Sequence, residues 1–96
     1  SISAGLDYPG VSPIHCFLKD TKRARYTSVT DESALNAYKL VTRLEKINPS
    51  LEPSHAFAEA IRIAPKLSKD TIIIVNSCGD AKKDRDILKA RLGKVN

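Results

Sequence analysis

Ninety-six residues with 42% apolar and 28% charged side chains have the balance of a small globular unit, which excludes an intrinsically disordered one. The net charge is +5, but the cations run from Lys19 to Lys94 interleaved with acids, so a nucleic-acid interface is not expected. The longest apolar run, residues 72–75, is far too short for a membrane-spanning helix.

The chain contains no Met and begins at Ser1, which points to a processed or excised piece of a longer product. Its first fourteen residues carry Gly5, Pro9, Gly10 and Pro13 and read as loop and turn. Pro13 then opens a short helix through about Asp20, with Ser12 as its cap. Residues 25–29, RYTSV, are rich in β-branched and aromatic side chains and predict a strand.

Thr30, Asp31 and Glu32 supply a cap and an acidic first turn for a second helix. Its apolar stripe is Ala34, Ala37, Tyr38, Val41 and Leu44, and Asn48-Pro49 is expected to stop it. Pro53 opens a third helix, with Ala56, Phe57, Ala60, Ile61 and Ala64 on one face as far as Pro65. Residues 71–75, TIIIV, do not alternate, which predicts a strand covered on both faces, as in a parallel sheet. A last helix is expected from Asp84 to Leu92, ended by Gly93.

Two strands cannot form a sheet covered on both faces by themselves, so partner strands are expected outside these residues. The turn after the second strand, SCGDAKKDRD at 77–86, stands where open α/β sheets keep their ligand sites. Cys16 and Cys78 are far apart and, with His15 and His55, show no metal-ligand spacing, so they are read as free thiols of a reducing compartment.

The blocks SISAGLDYPGV at 1–11, TSVTDESAL at 27–35 and LEPSHAFAEAI at 51–61 are too particular to be anonymous surface. With the strand IIIVN and the pair Lys83-Asp84, they closely resemble the C-terminal part of the tryptophan synthase beta chain. That family is a fold type II pyridoxal-phosphate enzyme. The resemblance covers nearly all 96 residues. It implies an α/β fold of parallel strands flanked by helices, with residues 1–96 as one piece of a larger catalytic chain. The implied reaction is β-replacement of the serine hydroxyl by indole to give tryptophan, in the cytoplasm. It also implies pyridoxal 5'-phosphate, a monovalent cation (Na+ or K+), an alpha-type partner subunit and a beta–beta homodimer. The cofactor lysine and phosphate loop belong to earlier parts of such a chain, so these residues alone are expected to be inactive.

Site residues carry over by position. Asp7 matches an aspartate that faces the substrate and pairs with an arginine; as a bare sequence feature it is a turn residue before Tyr8-Pro9. Glu52 matches a glutamate lying against the cofactor ring, and is equally explained as an acidic helix-start residue. The resemblance puts Gly5 and Gly79 at the cofactor, and Cys78 where the family has a serine bonded to the pyridine nitrogen. Shifting the match by one residue gives that role to Ser77. The backbone carbonyls of Tyr8 and Gly10 match a monovalent-cation site. His55, in the Glu52 motif, reads as a hydrogen-bonded helical residue.

The chain also departs from the family. Asp80 stands where the family has the arginine, which would set two carboxylates, Asp7 and Asp80, against each other. Lys82 or Lys83 would then be the candidate replacement cation. Lys46, Asn48 and Pro53 are further departures. A non-catalytic or retargeted relative therefore stands as the alternative, with a small basic binding module behind it.

Overall fold

Local signals close each helix. The structure, a computed structural model, describes residues 1–93; Lys94, counted above among the C-terminal cations, lies outside them. Helix α1 runs Pro13–Asp20, and the Ser12 hydroxyl accepts the Ile14 N–H at 3.2 Å, as the cap signal requires. Helix α2 runs Asp31–Glu45, capped by Thr30, whose hydroxyl accepts the Ser33 N–H at 3.2 Å. It stops before Asn48, at Lys46, which takes the left-handed conformation with φ 60° and ψ 32°. That backbone costs a lysine roughly 1–2 kcal/mol, and the Lys46 N–H bond to the Thr42 carbonyl at 3.1 Å offsets part of it.

Helix α3 runs Leu51–Ile63, opening two residues before Pro53, and gives way to a single 3-10 turn at Ala64–Lys66 around Pro65. Helix α4, Arg85–Leu92, follows a 3-10 turn at Ala81–Asp84 and ends at Gly93 with φ 75°. Only glycine takes that left-handed C-terminal position without a steric penalty.

Helices α2 and α3 pack against each other, and α4 closes the interior from the C-terminal side. Leu51 and Leu88 are fully buried, in a cluster with Ile2, Leu35, Tyr38 and Ala81, and Leu92 packs against it. The N-terminal loop therefore does structural work, since Ile2 and Ser3 are both buried in it. A 3-10 turn at Ala4–Leu6 then carries the chain over the start of α3.

The expected α/β arrangement of parallel strands flanked by helices is not formed. Among the described residues the regular elements are all helical, and neither residues 25–29 nor 71–75 make a strand. β-branched side chains favour an extended, pleated surface, but a strand exists only where a second one supplies its hydrogen bonds. Neither stretch has such a neighbour. Residues 71–75 are also not covered on both faces, because Ile72 is 85% and Ile74 90% exposed. Instead residues 27–29 and 73–76 line one open cavity of about 700 Å³ against His55, Ala60 and Ile63 of α3. An apolar surface of this kind should be detectable. This 96-residue chain in isolation is expected to enhance the fluorescence of a hydrophobic dye; a dye signal no higher than buffer would contradict that.

Candidate functional site at the start of helix α3

The first turn of any helix leaves backbone N–H groups without partners. Here the buried carboxylate of Asp84 supplies one acceptor across 33 residues of sequence, taking the Leu51 N–H on Oδ2 at 2.9 Å. Ser54 closes the same turn, its hydroxyl donating to the Ser50 carbonyl at 2.8 Å. These bonds fix the residue between them, Glu52, at the mouth of the helix.

Glu52 is then gripped from two sides. The Gly5 N–H donates to its Oε1 at 3.0 Å, and the Lys83 ammonium reaches Oε1 at 3.0 Å and Oε2 at 2.8 Å. Lys83 also donates to Asp84 Oδ1 at 2.9 Å, so one ammonium ties the two carboxylates together. Partial burial pushes the Glu52 carboxyl up, but the bonds from Lys83 and Gly5 outweigh it and leave the group below its ordinary value. Burial likewise works against the Lys83 charge, and its two carboxylate partners hold the ammonium above the ordinary lysine value. Glycine at position 5 suits this close approach, because a Cβ there would stand 3.0 Å from both Cγ and Oε1 of Glu52 and the held carboxylate would have to shift to accommodate it.

The turn after residue 76 abuts the same helix start. The Ser50 hydroxyl donates to the Cys78 carbonyl at 3.1 Å, and the Ala81 N–H to the Asn48 carbonyl at 3.2 Å. Gly79 has φ 76°, and a Cβ there would meet the Ser50 hydroxyl at 3.2 Å. Gly79→Ala is accordingly expected to cost about 1–2 kcal/mol, read as a lower urea midpoint for the full-length protein. An unchanged midpoint would show that the turn is not held in this form.

The side chains of Ser77 and Cys78 are exposed on this turn. A hydroxyl and a thiol thus stand side by side on this turn, next to a glycine in the left-handed conformation. Gly5, Glu52 and the 77–79 turn thus gather around the start of α3.

Of the other expected residues, Lys83 and His55 belong to this helix start, and Asp7 is engaged by the N-terminal residue. The Asp7 carboxylate lies 2.8 Å from the backbone nitrogen of Ser1, and Asp7 lines a separate cavity with Ile87, Ala90 and Arg91. Asp80 is engaged locally, capping the 3-10 turn through the Lys82 N–H at 2.8 Å. Of the two candidate replacement cations, Lys83 is committed to Glu52 and Asp84. Tyr8 and Gly10 sit on an exposed loop, with open space around Gly10. His55 is a hydrogen-bonded helical residue, its Nδ1 lying 2.8 Å from the Leu51 carbonyl oxygen. Sequence reasoning gave no role to Ser50 and read Asp84 only as a helix start and a member of the Lys83-Asp84 pair, whereas their contacts join segments 28 and 33 residues apart.

A carboxylate held by an ammonium and a backbone amide therefore stands beside a turn that carries a hydroxyl and a thiol, and together they form one polar face of the segment. Comparison with known proteins shows which longer chain this segment resembles. The chain is 55% identical over 93 residues to the tryptophan synthase beta chain of Cereibacter sphaeroides, covering 97% of this chain and 23% of that protein. It is 53% identical to that of a Ruegeria species over 97% of its length, and 58% identical to that of Fusobacterium nucleatum over 88%. No family model matches the chain. It corresponds to part of a tryptophan synthase beta chain. It spans less than a quarter of the length of the curated relatives it matches.

Proposed function

We propose that these residues form the C-terminal portion, as one piece, of a larger catalytic chain that makes tryptophan from serine and indole. The observation that carries this reading is the doubly held carboxylate of Glu52 beside the 77–79 turn. Pyridoxal phosphate, when bound, supplies an electron sink for bond breaking and bond making at the substrate carbons. Ser77 or Cys78 would be the donor to its ring nitrogen, and Gly79 and Gly5 would allow close backbone approach. A neutral donor at that nitrogen leaves it largely unprotonated, which favours elimination and replacement at the β carbon.

Glu52 acts as a fixed negative charge. It can accept a hydrogen bond from the indole N–H, orient the incoming ring and stabilise positive charge that develops on it. Asp7 accepts a hydrogen bond from the serine hydroxyl or orients indole. The carbonyls of Tyr8 and Gly10 contribute to a monovalent-cation site. The partners are an alpha-type subunit that supplies indole and a second beta chain, in the cytoplasm. The 96 residues alone make no tryptophan, since no lysine precedes Lys19 and the chain has no glycine-rich phosphate loop.

The test is chromatographic detection of tryptophan formed from serine and indole by the full-length protein with added pyridoxal phosphate. Steady formation supports the reading. Cofactor bound without tryptophan formed would favour a non-catalytic relative.

A further inference from the structure

A surface lysine near a glutamate is ordinarily worth little, because water screens the pair and both side chains are free to move. Lys83 is placed differently. An ammonium has three donors, and here they go to Oε1 and Oε2 of Glu52 and to Oδ1 of Asp84, at 3.0, 2.8 and 2.9 Å. Asp84 is buried and its second oxygen is committed to the Leu51 N–H, so it cannot follow a moving lysine. The lysine is therefore anchored at a rigid point and presents its remaining donors in a fixed direction. Glu52 is the residue that receives them, with the Gly5 N–H as its other partner.

We infer that Lys83 is a positioning residue for Glu52, linking its carboxylate to the Asp84 anchor and so fixing the direction in which that carboxylate faces the ligand. The inference rests on the functional reading above and deepens it. Without Lys83, Glu52 keeps only the Gly5 amide, and a glutamate side chain with three rotatable bonds has other rotamers open to it. Asp84 at the same time faces Glu52 with no cation between them, and like charges drive the glutamate outward. Arginine at this position can still place donors on both carboxylates, whereas methionine can place none.

The experiment uses the full-length protein with Lys83→Met, Lys83→Arg, Glu52→Gln and the Lys83→Met/Glu52→Gln double variant. Two readouts are taken: kcat for tryptophan formation, and crystal structures of the cofactor-free parent and Lys83→Met. The expected result is a fall in kcat of at least about tenfold for Lys83→Met, largely restored in Lys83→Arg. The double variant should be no slower than Glu52→Gln alone, and the crystal structure should show Glu52 withdrawn from Gly5. If Lys83→Met does not fold, Lys83→Gln, which keeps one donor, replaces it in the same cycle.

Losses that simply add in the double variant would overturn the inference, since Lys83 would then act independently of Glu52. So would a Lys83→Met structure with Glu52 still on the Gly5 amide and kcat unchanged. A Glu52→Gln variant as fast as the parent would overturn the functional reading of Glu52, and the inference with it. Those results are distinguishable, because only the last leaves the single Glu52 variant unimpaired.

Discussion

Glu52→Gln in the full-length protein is expected to lower kcat for tryptophan formation by about 10²-fold, with a smaller change in KM for serine. Glutamine has the size of glutamate and its carbonyl oxygen can still accept the Gly5 N–H. Its amide group, however, would meet the Lys83 ammonium donor to donor, where the carboxylate now accepts at 2.8 Å. The substitution removes the charge while nearly preserving the shape, so the loss measures what the fixed negative charge does. A charge that matters only to charge developing during reaction should appear in kcat more than in KM. A variant within twofold of the parent in kcat would mean that the carboxylate of Glu52 merely opens a helix.

Leu51→Ala is expected to carry the largest stability cost of any single change at the site, about 2–5 kcal/mol. Leu51 is fully buried, and its side chain belongs to the cluster of Ile2, Leu35, Tyr38, Ala81 and Leu88, which brings together the N-terminal loop, α2, the 3-10 turn and α4. Truncation removes packing for all of them at once, and a dense interior collapses only partly around the hole. The same residue donates the backbone N–H that Asp84 accepts, so loosening it releases the anchor beneath Lys83 and Glu52. Urea unfolding of the full-length protein should show the midpoint falling, with kcat reduced even where the protein stays folded. A loss below about 1 kcal/mol would show that the interior is not packed around Leu51.

What was legible in the sequence is what depends on near neighbours. Ser12 and Thr30 each cap the helix that directly follows, and Gly93 ends α4, because a cap acts across two to four residues. The two stretches expected to be strands failed because pairing is not local. Composition gave residues 71–75 their β character, but among the described residues no backbone ladder joins them to another segment, and Ile72 and Ile74 are largely exposed. Lys46 ended α2 early without a glycine or proline to announce it.

The site divides along the same line. Glu52 and Gly5 came from resemblance, and a close contact joins them, although 47 residues separate them. Asp84 was read only as the start of the last helix, because nothing in Lys83-Asp84-Arg85 states that its carboxylate reaches the Leu51 amide. Asp80, which the resemblance sets against Asp7, has a local partner. Asp80 finds the Lys82 N–H two residues away, as aspartate at the start of a short helix commonly does.

The most direct test of the central claim is the absorbance spectrum of the full-length protein with pyridoxal phosphate, recorded before and after serine is added. The account predicts a cofactor band displaced from that of the free compound, which changes again with serine and returns as indole is consumed. A protein-bound band that ignores serine, or a spectrum identical to free pyridoxal phosphate, would contradict it.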